Sequence, residues 1–212
     1  MSTNETEQKS CEVIGDAFRS AFHDVSVQCN AVIALPSGFR NPTGEIDCVV
    51  VCNAGVFLFE IKGWKNTCVS REAVVGLEAK QWFLNSIVDG KFVKTPVRDP
   101  IAQGFEKQTE IRRHLDARIP LRSLVFLGGP NVVLHPQLPS AVVAAPDLPY
   151  FLRTVRSERK RDSKKTLDAD GVALVSRLIT GLSTGLTVED HVRFIQQRKN
   201  SAIQAELSAQ PA

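Results

Sequence analysis

Several patterns that mark common protein classes are scarce or absent in this chain. Its 212 residues include one methionine, one tyrosine and two tryptophans. No run of about 20 apolar residues occurs, so we expect no transmembrane helix and no contact with a membrane. The first ten residues are polar and lack the apolar core of a secretory signal, so the expected location is the cytoplasm.

Cys-x-x-Cys pairs, clustered histidines and a large excess of charge of one sign are absent as well. The five cysteines, at positions 11, 29, 48, 52 and 68, form an odd set without a Cys-x-x-Cys pair. Such a set argues against a disulfide framework or a zinc site, and it fits a reducing compartment. The four histidines lack the spacing of metal ligands, so we assign them no function. The 26 basic residues exceed the 23 acidic ones by three, which alone does not mark a nucleic-acid-binding protein.

What the chain does have is a β-hairpin pattern that ends in charged side chains. Two apolar runs flank the segment 53–55, which reads Asn-Ala-Gly and predicts a tight turn. A turn centred on the first two of these residues would place Asp47 opposite Glu60. A turn centred on the last two would place Asp47 opposite Lys62. Either turn brings Asp47 beside Glu60 and Lys62, which share one face of the second strand.

This cluster has the composition of a site for metal-dependent hydrolysis of phosphodiester bonds. Mg²⁺ takes oxygen ligands and usually keeps several waters, so two carboxylates can hold it while positions stay open for a phosphate and a water. The metal, Mg²⁺ or Mn²⁺, would polarise the phosphate and lower the pKa of its bound water. A lysine nearby, here Lys62, would orient that water or stabilise charge on the phosphate.

The same residues resemble a known family. The Asp47…Glu60-x-Lys62 arrangement is similar to the PD-(D/E)xK nuclease superfamily. The longer string Gly-Glu-Ile-Asp, strand, turn, strand, Glu-Ile-Lys-Gly-Trp resembles its nuclease-related domain (NERD) branch. Trp82 and the segment 99–103, Asp-Pro-Ile-Ala-Gln, continue the resemblance, which covers roughly residues 8 to 130. The segment departs from the family pattern at its first residue, where Asn is more frequent than Asp.

The resemblance implies a divalent-metal nuclease, for which we expect DNA as the substrate. Asp47 and Glu60 would hold the metal with the backbone carbonyl of Ile61, and Lys62 would position or activate the attacking water. Gln103 would contact the substrate phosphate or Lys62. The alternative for Gln103 is a polar residue at the edge of the sheet.

Two further acids are candidates for an accessory role. Glu45 lies two residues before Asp47 on the same strand face, either as an additional acid at the metal or as a solvated charge at the strand end. Related nucleases often supply an acid from a helix, and Glu12 is the candidate by analogy. The alternative for Glu12 is an exposed residue near the positive end of the helix dipole.

Basic and aromatic residues beyond the motif are candidates for binding nucleic acid. Lys107 lies one turn after Gln103 on the same helix face and would reach the same groove. The basic run 153–165 would either follow a phosphate backbone or form a solvated linker or helix surface. Trp64 and Trp82 would either stack on bases or pack in the core or at a sheet edge. The basic candidates are Lys107, Arg156, Arg159, Lys160 and Arg161.

Periodicity and turn residues predict an α/β fold, a mixed β-sheet flanked by helices with a C-terminal helical extension. The family resemblance implies that this fold is restriction-endonuclease-like. Helices are predicted over 5–22, 100–115, 168–182 and 187–206, a loop over 36–43, and strands over 28–35, 45–53, 56–61, 67–70, 81–84, 91–94, 121–127 and 140–145. We divide the chain into a nuclease-like domain over 5–150, a basic linker and helical extension over 151–207, and a disordered tail over 208–212.

Two other functions fit the same sequence. The nuclease fold could be kept as a nucleic-acid-binding module with little or no cleavage. The apolar face of the helix predicted over 168–182 could pair with a partner or with a second copy of the chain as a homodimer, or it could pack within the chain.

Overall fold

The computed structural model describes residues 3–35, 42–162, 166–183 and 185–197. The elements in chain order are α1 (Thr3–Ala21), β1 (Ser26–Ala34), β2 (Thr43–Cys52), β3 (Gly55–Lys62), β4 (Thr67–Glu72), β5 (Gln81–Val88), β6 (Lys91–Val97), α2 (Pro100–His114), β7 (Leu121–Leu127), β8 (Val132–Leu134), β9 (Val142–Ala144), a 3-10 turn (Ala145–Asp147), α3 (Leu148–Arg161) and α4 (Ala169–Leu182). Residues 188–197 are also helical, and we label them α5. None of the described helices is long and apolar enough to cross a membrane.

The main sheet holds five strands in the order β1-β2-β3-β7-β9. The first three are antiparallel neighbours, whereas β3, β7 and β9 run parallel. Strands β2 and β3 are buried along nearly their whole length, as expected for central strands with both faces covered. The predicted hairpin and the strand predicted over 121–127 are therefore confirmed.

Helices cover both faces of this sheet. On one face, α1 and α3 bury an apolar stripe against alternate residues of β2 and β3; the helical residues are Cys11, Ile14, Phe18, Leu148, Leu152 and Val155. On the other face, α2 and α4 contribute Ile111, Val172, Val175 and Ile179. The segment predicted as a basic linker and helical extension thus supplies α3 and α4, which share their cores with the sheet.

Two of these helices begin at residues that satisfy their free N–H groups. The Asp99 carboxylate accepts hydrogen bonds from the backbone N–H groups of Ile101 and Ala102 at the start of α2. Asp168 does the same for Gly171 at the start of α4. Such caps satisfy donors that have no partner within the helix. The cap of α2 orients the turn that carries Gln103.

A second sheet, in the order β6-β5-β4-β8, extends the fold beyond the single mixed sheet that the sequence predicts. Its outer hairpin, β5–β6, turns at Asp89 and Gly90, which have φ angles of 50° and 73° and suit a tight hairpin turn. Val69 and Trp82 pack this sheet against β7. Trp82 is therefore a core residue, which excludes base stacking at this position.

A disulfide joins Cys11 of α1 to Cys29 of β1, so the expectation of no disulfide was wrong on this point. The helix docks across the strand and brings the two Cα atoms to 6.4 Å, within the range that a disulfide requires. The number and spacing of the cysteines do not indicate that the helix packs against this strand. The other three cysteines are free thiols, and two of them, Cys48 and Cys52, are buried.

Some predicted features fall outside the described residues. They are residues 36–41 of the predicted loop, residues 163–165 at the end of the basic run, the part of the last predicted helix beyond residue 197, and the tail over 208–212.

Candidate active site

The register of the β2–β3 hairpin decides which charged residues meet. Cys48 pairs with Phe59, which centres the turn on residues 53–54 and places Asp47 level with Glu60. The alternative turn, which would have placed Asp47 opposite the lysine two residues later, is wrong.

Packing at the turn explains this choice. Gly55 has a φ of 120°, and a Cβ added there would lie 2.4 Å from the carbonyl oxygen of Pro120. The next residue, Val56, donates its backbone N–H to the same carbonyl at 2.8 Å. Only glycine combines this φ with so close an approach, so the chain leading into β7 fixes the hairpin.

Asp47 is anchored on the backbone where the pairing of β2 with β3 ends. Its buried carboxylate accepts a hydrogen bond from the N–H of Ile61, with 2.6 Å between Oδ2 and N. The N–H and C=O of one strand residue point to the same side, so the Ile61 carbonyl is directed toward β2 as well. The Lys62 carbonyl points the other way, since it accepts from the N–H of Gly128 beyond β7. The carboxylate of Asp47 and the carbonyl of Ile61 therefore lie on one side of β3.

Glu60 is held by two lysines from different elements. Lys62 Nζ lies 2.7 Å from Glu60 Oε1, and Lys107 Nζ, from α2, lies 2.6 Å from Glu60 Oε2. Lys62 also donates to Gln103 Oε1 at 3.0 Å. The Glu60 side chain is only 7% exposed. The structure thus brings together four of the residues that the sequence analysis proposed for catalysis or binding at this point: Glu60, Lys62, Gln103 and Lys107.

The two facing carboxylates have opposite pKa shifts. Burial, and next the charge of Glu60, raise the pKa of Asp47 from 3.8 to about 6. Burial alone would raise the pKa of Glu60 too, but the charges of Lys107 and Lys62 and their hydrogen bonds outweigh it and hold that pKa below its usual value. Asp47, a buried carboxylate held by a backbone N–H, thus lies beside Glu60, a buried carboxylate held by two ammonium groups.

A third acid, Glu7 of α1, reaches the cluster. Burial raises the pKa of Glu7, and the charge of Asp47 raises it further. Glu45 is also close: burial and then the charge of Glu7 raise its pKa. The site therefore contains the predicted Glu45 and an acid that the sequence analysis did not select.

Glu12, the predicted helical acid, lies on the exposed side of α1 and accepts a hydrogen bond from Gln8. Glu7, and not Glu12, is the acid of this helix that lies beside the cluster. Glu7 precedes Cys11 and Ile14 by four and seven residues, so it continues the buried stripe of the helix. This spacing could have identified Glu7 from the sequence.

Strand β1 is distorted where it passes Asp47. Cys29 pairs with Cys48 and Ala31 pairs with Ile46, while Asn30 between them has a φ of 54°. Asparagine tolerates this left-handed conformation better than most residues do. Sparsely populated backbone conformations of this kind are concentrated at functional sites.

A pocket of about 210 Å³ opens above Asp47 and Glu60, and part of its wall comes from α5. His191 and Ile195 line it together with Arg98 and Gln103. His191 is buried, and its Nδ1 lies 2.8 Å from the hydroxyl of Thr43. Burial, and next the charge of Lys107, lower the pKa of His191, which favours the neutral ring. This histidine is one of the four without an assigned function, because no local motif in the sequence indicates a role for it.

The other predicted nucleic-acid-binding residues lie elsewhere. Arg156, Arg159, Lys160 and Arg161 belong to the last turns of α3. Arg159 lines a depression with Ala54, in the turn of the β2–β3 hairpin. That turn is at the opposite end of β3 from Lys62, roughly 20 Å away along a strand. The structure does not bring the described part of the basic run, residues 153–162, to the candidate site.

The oxygen atoms at the site match the ligand preference of Mg²⁺ or Mn²⁺. They come from two facing carboxylates, Asp47 and Glu60, and the carbonyl of Ile61. Within the described parts of the chain, no three His, Cys, Asp or Glu side chains converge closely enough to form a metal cage by themselves. The donor set therefore fits a partly hydrated hard cation better than a closed structural metal.

Comparison with known proteins supports the resemblance. The family model of the nuclease-related domain, NERD, matches residues 3–128, which include α1 and all strands and helices up to β7. Comparison with curated proteins and with solved structures gave no match. The family model covers more than half of the chain and contains Glu7, Asp47, Glu60, Lys62 and Gln103. The chain therefore belongs to the nuclease-related domain family.

Proposed function

We propose that the protein is a divalent-metal-dependent nuclease that hydrolyses phosphodiester bonds, with DNA as its substrate. The observation that carries the proposal is the buried pair Asp47 and Glu60 with two ammonium groups beside it. Glu60, an anionic ligand for a cation, thus lies within hydrogen-bond reach of Lys62 and Lys107, which are cationic donors for a phosphate.

Asp47, Glu60 and the Ile61 carbonyl would hold Mg²⁺ or Mn²⁺. The bound metal would polarise the phosphate and supply a more acidic water. Glu7 and Glu45 add negative charge around these ligands, which favours a divalent cation. Burial, and next the charge of Glu60, raise the pKa of Asp47, so a bound cation would stabilise the charged form of this carboxylate.

Lys62 and Gln103 would act on the phosphate. The Lys62 ammonium donates to Glu60 and to the Gln103 carbonyl oxygen, so both acceptors orient it toward the cluster. Because the Gln103 oxygen faces Lys62, its amide nitrogen is left to donate to a phosphate oxygen. Lys107, on the same helix, would add a second positive charge that offsets the charge developing on that phosphate.

One observation favours the alternative, a binding module without cleavage. Both Glu60 oxygens accept from ammonium groups, so the carboxylate is balanced without any metal. In such a module, Lys62 and Lys107 would serve only to attract nucleic acid. This alternative predicts salt-sensitive DNA binding that does not depend on a divalent cation.

The test is cleavage of circular, linear and single-stranded substrates with Mg²⁺ or Mn²⁺, against EDTA. Asp47→Ala, Glu60→Ala and Lys62→Ala should each abolish cleavage while the protein stays folded. Lys80→Ala, at an exposed lysine outside the site, is the matched control and should cleave normally. Full activity in Lys62→Ala, or activity in EDTA, would overturn the proposal.

A cytoplasmic location and a homodimer both stay predictions. The Cys11–Cys29 disulfide bears against the first, because reducing compartments usually keep thiols reduced. For the second, the apolar face of α4 packs on the main sheet through Val172, Val175 and Ile179. This face is thus occupied within the chain.

A further inference from the structure

A second and larger cavity adjoins the candidate active site on its α1 side. It has a volume of about 750 Å³, and the end of β3 forms part of its wall through Ile61 and Lys62. Glu7 and Val13 of α1 form another part. This volume lies within the range of cavities that hold small organic ligands. Because Ile61 and Lys62 line it, a group bound here would lie next to the scissile phosphate.

The lining of this cavity is basic and aromatic. Three lysines, Lys9, Lys62 and Lys65, contribute to it, against the single acid Glu7. Lys9 and Lys65 are exposed and have no role in the proposed chemistry. Trp64 is half-buried and also lines the cavity. One part of Trp64 packs against the core of the second sheet, and the residue as a whole stays partly exposed. Positive charge around a partly exposed tryptophan is the combination that binds single-stranded nucleic acid, by phosphate attraction and base stacking.

Trp64 is held in place by the backbone on both sides. The carbonyl of Lys62 accepts from the N–H of Gly128 at 3.1 Å, and the N–H of Asn66 donates to the carbonyl of Pro130 at 3.0 Å. A Cβ added at Gly129 would lie 1.6 Å from the Trp64 carbonyl oxygen, so the two chain segments are in direct contact. The indole is therefore carried by a rigid part of the fold, and little ordering would be needed to bind a base.

We infer that this cavity, defined by Trp64, Lys9 and Lys65, is a subsite for one unpaired nucleotide of a single-stranded nucleic acid. The base would stack on Trp64, and the adjoining phosphates would contact Lys9 and Lys65. The exposed Val13 side chain, 50% accessible, adds an apolar wall for the base. This inference rests on the proposed function, because it places the nucleotide beside the bond that Lys62 would help to cleave.

The shape of the site selects the single strand. In a duplex, both faces of a base are covered by its neighbours, so an indole inside a concave cavity cannot reach them. An unpaired base presents a free face, and stacking accepts any base because each has a π face. The preferred substrate would then be a single strand, a frayed end or an overhang.

The experiment is a fluorescence titration with short oligothymidylate in EDTA, where no cleavage can occur. The chain has two tryptophans, and Trp82 is only 1% exposed, so quenching by a bound base would report Trp64. We expect quenching of the wild-type protein, and binding about tenfold weaker in Trp64→Leu, which keeps apolar volume but removes the ring. Binding by this variant is measured by anisotropy of labelled oligonucleotide. Trp64→Phe, which keeps an aromatic ring, should bind with intermediate affinity.

The lysines are tested in the same titration. Lys9→Gln and Lys65→Gln should weaken binding and lower its salt dependence, whereas Lys80→Gln, outside the cavity, should not. Unchanged affinity in Trp64→Leu, or equal affinity for a hairpin duplex, would overturn the subsite. Cleavage with Mg²⁺ but without a Trp64 response would retain the nuclease and refute the subsite. A Trp64 response without any cleavage would retain the subsite and refute the nuclease.

Discussion

Lys107 and Glu60 form an ion pair between α2 and β3, with 2.6 Å between Nζ and Oε2 and only 14% of the lysine side chain exposed. The pair connects the helix that carries Gln103 to the strand that carries Lys62. It also distinguishes Glu60, with two ammonium partners, from Asp47, with none in direct contact among the described residues. The two carboxylates should therefore contribute to stability with opposite sign.

Asp47→Asn should stabilise the metal-free protein at neutral pH. The variant removes a buried charge beside Glu60 while its side-chain oxygen can still accept from the Ile61 N–H. We expect a gain of about 1–3 kcal/mol in the free energy of unfolding, measured by urea denaturation in EDTA. A loss of stability in this variant would show that the Asp47 charge is compensated in the fold.

Glu60→Gln should have the opposite effect. It leaves Lys62 and Lys107 without their carboxylate partner, and we expect a loss of about 1–3 kcal/mol. Measured under the same conditions, the two variants form a matched pair, since each replaces one carboxylate with its amide. Both should also lose metal-dependent cleavage. Equal changes in stability would refute the asymmetry of the site.

The stability difference between the wild type and Asp47→Asn should depend on pH. The pKa of Asp47 is raised in the fold from 3.8 to about 6, so the folded state binds this proton more tightly than the unfolded state. The stability that the protonated carboxyl contributes is fully present below pH 3.8 and is lost as the pH rises through about 6. The difference should therefore widen between these values and stay constant above them. Denaturation curves from pH 4 to 8 in EDTA, for both proteins, test this expectation.

Glu7→Gln should reduce cleavage by about tenfold while leaving the fold intact, because Glu7 adds charge around the ligands without being required to hold the metal. Glu12→Gln, on the same helix but exposed, is the matched control and should cleave like the wild type. The measurement is the initial rate at subsaturating Mg²⁺, where a loss of metal affinity is visible. If Glu12→Gln were the slower variant, the assignment of the helical acid would be wrong.

The contrast between Glu7 and Glu12 shows which parts of the candidate site can be predicted from the sequence. Strand β3 and its Glu60-x-Lys62 face were predictable because alternation along a strand is local. The choice between two registers was not, because the contact of Gly55 with Pro120 links residues distant in sequence. Which acid of α1 reaches the site depends on which side of the helix packs on the sheet. Periodicity indicates that Glu7 lies on this side only if the buried stripe is extended back to residue 7.

The second sheet and the α5 wall were less accessible to prediction. Strand β8 has three residues and pairs in parallel with β4 across more than 60 residues, so no local pattern marks it. His191 meets Thr43 across a separation of 148 residues. Both features depend on long-range packing, which composition and spacing do not contain.

Ile179→Ala should destabilise the whole fold by about 2–4 kcal/mol, because the side chain is buried against the main sheet. Leu174→Ala, on the same helix but 61% exposed, should change stability by less than about 0.5 kcal/mol. Thermal or urea denaturation followed by tryptophan fluorescence, to which Trp64 and Trp82 both contribute, is the measurement. An Ile179→Ala protein in which α4 unfolds separately would indicate an independent C-terminal unit.

The wall that α5 forms over the candidate active site lies outside the segment that matches the family model. Residues 3–128 contain the acids, lysines and glutamine of the proposed chemistry, whereas His191 and Ile195 come from the far end of the chain. The residues of the proposed chemistry thus lie within the matched segment, whereas this part of the pocket wall lies outside it. Under the proposed function, substitutions in α5 would change which substrates enter without altering the groups that act on them, so specificity would be able to evolve independently of catalysis.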